Sequence, residues 1–461
     1  MIRPIKLYNT RTRSVDLLEP LEEGQVGIYS CGPTVYNYAH IGNLRAYIFV
    51  DTLKRALQWC GYQTNHIMNI TDVGHLTDDA SDGEDKMELA AKKSGRDIWD
   101  LSRYYTSVFF EHTGDLGIQP PNTVCRATDH IKEQIDMVQT IMDNGFAYQV
   151  DDGIYLDTGK LPKYADFARL SLEGQQAGAR VDVVQGKKSP TDFAIWKFAK
   201  GAKRQMEWES PWGRGRPGWH IECSAMISEL IGSEFDIHGG GIDLIFPHHE
   251  NEIAQSCSNN SSEKFANYWV HNGFVTMNKE KMSKSLGNII SIEDSVKKFS
   301  GQVVRLALLS SHYKQPLDWN DKLLQDQSVI LNKWYSIFDD EHYDKLPDCF
   351  EHLLDDLNTP AFISKMHELF NLASKGNKDK KREFNKACRL IGLFNENLRV
   401  REALKKEKVK ISEKFILMKI EERIEARKSG NFKLADKIRD ELLLEGVIIE
   451  DDKEKTIWKY K

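Results

Sequence analysis

Cys31, Cys223, His248 and Glu252 carry side chains that bind a borderline-soft metal, and their placement makes a shared site conceivable. His248 and Glu252 stand four apart in a segment, His248–Cys257, that reads as helical, so one helix face would present both. Alone, such a pair is more often an ordinary surface contact. Cys223, on an earlier predicted helix, and Cys31, at the end of a predicted strand, could complete a set of two thiols, an imidazole and a carboxylate. His238, His249 and Glu250 compete for the same role. Distance along the chain is no obstacle, because strand ends and helix starts converge at a sheet's switch point. The remaining cysteines, at 60, 125, 257, 349 and 388, bring the number to seven, with no CxxC anywhere. An odd number at wide spacing argues against a disulfide framework.

A second chemistry concerns phosphate. His40-Ile41-Gly42-Asn43 lies between a strand and a helix, where backbone N–H groups and two polar side chains suit a polyphosphate. The same four residues equally describe a capped helix start. Lys281-Met282-Ser283-Lys284-Ser285 places two lysines three apart among hydroxyls, with Gly287-Asn288 after them. Such a mobile cationic loop suits charge building on a leaving pyrophosphate. The segment Gly213–Gly218 matches G-x-G-x-x-G, but Ser210-Pro211-Trp212 precedes it and Pro217 stands where a helix should open, so it reads as a loop. There is no GK[ST] triplet and no H-E-x-x-H.

These residues need elements to hold them. Val26–Ser30 reads as a strand, Gly42–Cys60 as a helix stopped by Gly61, and His66–Ile70 as a buried strand, together a β–α–β unit of a parallel sheet. Helices follow at about 97–116 and 130–144, then a hairpin over 146–156 turning at Asp151-Asp152-Gly153. The stretch 157–217 reads as irregular, more insertion than core. Trp219–Ile231 as helix, Phe235–His238 as strand and His248–Cys257 as helix restore the alternation. The expected fold class is therefore α/β, a split Rossmann-type parallel sheet with an insertion. Beyond about 320 strand signals fade, and 323–400 reads as helices broken at Asn358-Thr359-Pro360 and Gly376.

The 461 residues include 29% charged and 40% hydrophobic, which excludes a disordered chain and predicts several domains. The net charge is −6, so no global basic field points to a nucleic acid. Residues 401–461 instead hold 17 basic and 14 acidic groups, with the basic ones concentrated in Arg401–Lys410. No apolar run approaches the roughly 18 residues of a membrane span, and the N-terminus has no secretory pattern, so the expected location is the cytoplasm with no membrane contact.

The motifs converge on a family. HIGN at 40–43 and KMSKS at 281–285 resemble the HIGH and KMSKS motifs of class I aminoacyl-tRNA synthetases. Cys31–Tyr36, Gly218–Ser224, Phe246–Glu252, His312-Tyr313 with Pro316–Asp318, Leu357–Pro360 and Ala435–Arg439 resemble the cysteinyl-tRNA synthetases nearly end to end. The resemblance implies one zinc ion held by Cys31, Cys223, His248 and Glu252, with cysteine, ATP with Mg2+, and tRNA(Cys) as partners and a monomer as the working form. It implies that His40, Lys281 and Lys284 are catalytic, and that His40, Asn43, Asp243 and Lys284 meet ATP. Thr71, Trp219 and His238 would line the amino-acid pocket. Asn43 departs from the motif's second histidine: its amide donates a hydrogen bond but cannot carry a proton. The expected organisation is 1–130 and 218–265 as the two halves of the catalytic domain, with 131–217 the insertion between them. Residues 266–322 would form the KMSKS region, 323–400 a helical bundle, and 401–461 a small C-terminal tRNA-binding domain.

Overall fold

The computed structural model describes residues 2–74, 86–170, 186–199, 201, 204–277, 280–282, 289–339, 341, 343–394, 411–451 and 456–460. An antiparallel hairpin of β1 (Lys6–Asn9) and β2 (Ser14–Leu17) precedes the β–α–β unit. That unit is β3 (Gln25–Ser30), α1 (Ile41–Cys60) and β4 (Gln63–Ile70). Leu44, Ile48, Leu53 and Leu57 of α1 are all buried, as their spacing predicts. Gly61 ends the helix in the left-handed conformation, at φ 96°, with its N–H on the Gln58 carbonyl.

Helices α2 (Lys86–Ser94) and α3 (Ile98–Asp115) lead to β5 (Thr123–Arg126) and α4 (Ile131–Asp143). Next come β6 (Ala147–Val150), β7 (Gly153–Leu156), β8 (Phe193–Phe198) and β9 (Gly215–Pro217), an antiparallel sheet in that order. Two sequence readings are corrected here. The stretch 157–217 contains two strands, and the G-x-G-x-x-G match is not a loop throughout, because Gly215–Pro217 pairs with Trp196–Phe198. Neither segment alternates in polarity, since the pairing of β8 is imposed by β7 and that of β9 by β8. Pro217 is tolerated because β9 is an edge strand.

The second half supplies α5 (Trp219–Leu230), β10 (Phe235–Gly241), a π-helical turn at Ile245–His249, α6 (Glu250–Asn260) and β11 (Ala266–Asn272). The main sheet is parallel throughout, in the order β11-β10-β3-β4-β5. The first half adds strands to one side of β3 and the second half to the other. The order therefore reverses between β3 and β10, and a crevice opens at their carboxyl ends.

A small sheet of β12 (Val275–Met277), β13 (Glu280–Lys281) and β14 (Leu317–Asp318) follows, with α7 (Ile292–Lys298) and α8 (Gly301–Leu309) between its last two strands. Helices α9 (Asp321–Tyr335), α10 (Thr359–Ser374) and α11 (Lys378–Leu390) come next. The predicted break at 358–360 is the start of α10: Asn358 accepts from the Ala361 N–H, and Pro360 sits in the first turn. At the C-terminus, α12 (Glu413–Lys428) and α13 (Phe432–Leu444) pack on a hairpin of β15 (Val447–Asp451) and β16 (Thr456–Tyr460) around Ile416, Ile420, Ile438 and Leu442. That hairpin corrects the expectation that strands end near 320. The basic run Arg401–Lys410 lies outside the described residues.

One buried ionic tie joins the first half of the sheet to the helices beyond it. Asp51, in the middle of α1, accepts from Arg55 Nε at 2.8 Å, from Arg305 of α8, and from the Gln119 N–H at 2.8 Å. Arg305 also donates to the carbonyls of Leu116 and Ile391. Burial works against the Asp51 carboxylate, but Arg305 and Arg55 outweigh it and hold its pKa below the usual value. Asp51→Asn should therefore cost about 3–5 kcal/mol, because it strands a buried guanidinium. A depressed pKa gives stability that is present above the unfolded value near 4 and lost as pH falls through the folded one. Denaturant midpoints across pH 2–7 should show that acid-sensitive component in the parent and a smaller one in the variant.

Candidate active site

Cys31 directly follows β3, Cys223 stands in the second turn of α5, His248 in the π-helical turn, and Glu252 in the first turn of α6. One donor atom from each lies within 4.8 Å of the others, close enough to share an ion at the switch point. Gly32 must be glycine here, since a Cβ would stand 1.7 Å from the Asn69 carbonyl oxygen. That close approach seats Cys31 against the end of β4.

The donors fit a cation. Glu252 Oε2 binds His238 Nε2 at 2.7 Å, while the buried Oε1 has no hydrogen bond of good geometry. His248 Nε2 lies 2.9 Å from that oxygen, and its Nδ1 is 2.9 Å from His220 Nδ1, which fixes the ring. The Cys223 thiol is pushed well up by its hydrogen bond with Cys31, by burial and by the charge of Glu252. His248 is drawn down by burial, yet Glu252 and Cys223 carry it up to about 10. A buried, anion-prone group with one orphaned oxygen is what a divalent ion completes.

Cys31, His238, His249 and Glu252 form a second group within the same distance. It is the poorer set, because it omits Cys223 and uses a His238 already bound to Glu252. His249 lies 3.5 Å from Cys31 through Nε2 and 2.8 Å from His271 through Nδ1. A third competitor drops out: Glu250 turns away, accepting from the N–H groups of Ala165 and Ala168 at 2.9 Å each.

The expected amino-acid pocket gathers around this cluster. Trp219, the first residue of α5, has its ring centre 4.5 Å from that of His248. Thr71 follows β4, and its backbone binds Pro33 and Val35 just beyond Cys31. His238 is fully buried and stacks on Trp269 at 4.6 Å, so it acts on the cluster through Glu252. Sequence reasoning named His249 only as a competing ligand and passed over His220 and His271, although the spacing of His220 to Cys223 was a visible signal.

The first of the two expected phosphate motifs forms the N-terminus of α1. His40 is the N-cap, its Nδ1 accepting from the Asn43 N–H at 3.3 Å while Asn43 Oδ1 accepts from the His40 N–H at 3.2 Å. The reading of the motif as a capped helix start holds, and the cap stands at the helix end where a polyphosphate is expected. The described residues flanking the second motif dock on the same point. A Cβ on Gly42 would stand 4.0 Å from Met282 Sδ, and the Ile41 N–H donates to the Ile290 carbonyl at 3.1 Å. Lys281 pairs through its backbone with Thr276, and Lys284 lies outside the described residues. Asp243 is exposed in the turn after β10, at the carboxyl edge of the sheet.

A parallel sheet whose order reverses between β3 and β10, with HIGN opening α1 and the described part of the second motif, Lys281-Met282, beside it, is the architecture of a class I aminoacyl-tRNA synthetase. Residues 17–329 match the family described as the tRNA synthetases class I (C) catalytic domain. The backbone resembles Mycobacterium tuberculosis methionyl-tRNA synthetase bound by methionyl-adenylate, with a TM-score of 0.55 at 14% identity over 84% of this chain and 94% of that one. The cysteine–tRNA ligase of Pelagibacter ubique is 44% identical over the whole of both chains, and that of Treponema denticola 40% over 99% of each. The chain belongs to the cysteine–tRNA ligase family and is an enzyme that joins cysteine to tRNA.

The four-donor cluster predicts one tightly held divalent ion per purified chain. Metal analysis should find it lost from Cys223→Ser and His248→Ala but retained in Glu250→Gln, whose carboxylate only anchors backbone.

Proposed function

We propose that this enzyme activates cysteine as cysteinyl-adenylate and selects it through a zinc ion. The observation that carries the reading is the set of half-buried Cys31 with buried Cys223, His248 and Glu252 at the switch point of the sheet. Zinc bound there would take the substrate thiolate and so tell cysteine from serine. Trp219 and Thr71 close the pocket around the amino acid, and His238 and His220 orient Glu252 and His248. The positive end of α1, through the Gly42 N–H and the side chains of His40 and Asn43, binds the ATP phosphates with Mg2+. Asp243 accepts from the ribose. The cysteine carboxylate attacks the α-phosphorus, and pyrophosphate leaves with its growing charge met by Lys281 and Lys284. The 2′-hydroxyl of the terminal adenosine then attacks the activated carbonyl and AMP departs. The helices of 323–400 and the unit at 401–461 hold the body and anticodon of tRNA(Cys), and the enzyme works as a cytoplasmic monomer. Among the described residues no helix is long and apolar enough to cross a membrane.

Lys284→Ala should slow cysteine-dependent ATP–pyrophosphate exchange by at least 10²-fold, about 2.7 kcal/mol, with little change in the KM for cysteine. Normal exchange in this variant would place the charge stabilisation elsewhere.

Serine differs from cysteine by one atom. A pocket that sorts by shape discriminates by only ~1–3 kcal/mol, whereas a factor of 10⁴ needs about 5.5. A thiol with a pKa near 8.5 ionises readily on zinc and an alkanol does not. Serine should therefore fail at pyrophosphate exchange itself, and preformed seryl-tRNA should persist in the presence of enzyme. Comparable exchange for serine, or enzyme-dependent deacylation, would show that the metal is not the sieve.

A further inference from the structure

Tyr38 lies two residues before His40, at the lip of the crevice. Its ring meets Tyr105 edge-on, with centres 5.0 Å apart, and Tyr104 at 6.4 Å, both from α3. The Tyr38 and Tyr104 hydroxyls are 2.9 Å apart, and Arg96 lays its guanidinium 4.2 Å from the centre of the Tyr104 ring. Despite these contacts Tyr38 and Tyr104 remain 38% and 37% exposed. Helix α3 packs against α7, whose cap Ser291 bridges to His40, so the cluster flanks the helix end where phosphate is expected. On its other side α2 and α3 pack through Met87 and Ile98 against Met206 of the inserted segment. The aromatic patch therefore sits between the insertion and the start of α1.

We propose that Tyr38, Tyr104, Tyr105 and Arg96 form a stacking platform for the unpaired nucleotides at the acceptor end of the tRNA as they enter the crevice. The inference rests on the reading that the cysteinyl group is transferred in this crevice. Every base offers a π face, and exposed tyrosines beside a guanidinium are the side chains on which unpaired bases stack. The chain carries a net charge of −6, so a polyanion must find local cations. Lys92, Lys93 and Arg96 are exposed along this edge, whereas Arg103 is paired with Asp100. The acceptor end is also the part of the tRNA that has to reach the adenylate.

The test uses the full-length enzyme and a tRNA transcript carrying 2-aminopurine at the unpaired nucleotide nearest its acceptor helix, whose fluorescence falls on stacking. Tyr104→Ala should raise the KM for tRNA about tenfold and relieve the quenching, as expected for one lost stacking partner. Cysteine-dependent pyrophosphate exchange should be unchanged, and Tyr104→Phe, which keeps the ring, should behave like the parent. Unchanged KM and quenching in Tyr104→Ala would overturn the proposal. Exchange falling in step with charging would also overturn it, by making the cluster a structural brace. So would an equal loss of affinity for tRNA lacking its unpaired end, which would assign the patch to the duplex. A parent enzyme with no cysteine-dependent exchange would refute the activation reading instead, and the fluorescence change would still report on the platform.

Discussion

Two thiols, an imidazole and a carboxylate share one dry space, and the cost of holding them together without a compensating charge governs the site. Burial and mutual proximity oppose ionisation of Cys223, and the orphaned oxygen of Glu252 has no protein donor on its axis. Two of the ligands are shifted toward their charged forms against their burial: Glu252 and Cys223 carry His248 up, and His238 and His248 hold the Glu252 carboxylate well below its usual value. The surrounding histidines are arranged to steer these ligands rather than to neutralise them. His238 takes one oxygen of Glu252 and His220 fixes the ring of His248, which leaves the remaining donor atoms facing one another. A donor set organised in this way suits a borderline-soft divalent ion.

The sheet topology makes that cluster possible. Cys31 comes from the end of β3, while His248 and Glu252 follow β10, its neighbour across the switch point. Gly240 allows the close packing there, since a Cβ would stand 2.9 Å from His249 Cε1. Helix α1 then links metal chemistry to phosphate chemistry. Its N-terminus carries the reciprocal cap of His40 and Asn43, and its middle carries Asp51, which engages Arg305 of α8. Through Arg305 the helix also reaches the Ile391 carbonyl, so the ATP end of the molecule and the helices beyond residue 320 share one rigid element. The segments on either side of 283–288 dock on that same helix end, through Met282 and Ile290.

Local pattern determined much of this protein. The β–α–β unit, the stop at Gly61, the hairpin at 147–156 and the cap at Asn358 follow from spacing, turn chemistry and propensity, all of which act over a few residues. The motifs at 40–43 and 281–285 were likewise legible, because phosphate chemistry leaves a compact signature. What the sequence could not decide was which of Cys31, Cys223, His238, His248, His249, Glu250 and Glu252 form one set. Tertiary structure narrowed the choice by turning Glu250 onto the backbone of Ala165 and Ala168, leaving two overlapping groups around Cys31 and Glu252, one completed by Cys223 and His248 and the other by His238 and His249. Strands β8, β9, β15 and β16 were also hidden, since their pairing partners rather than their own residues make them strands. The general reason is range: helix starts, turns and motifs are written in neighbouring residues, whereas a shared ligand set and a strand pairing depend on surfaces that meet only when the sheet closes its order across β3 and β10.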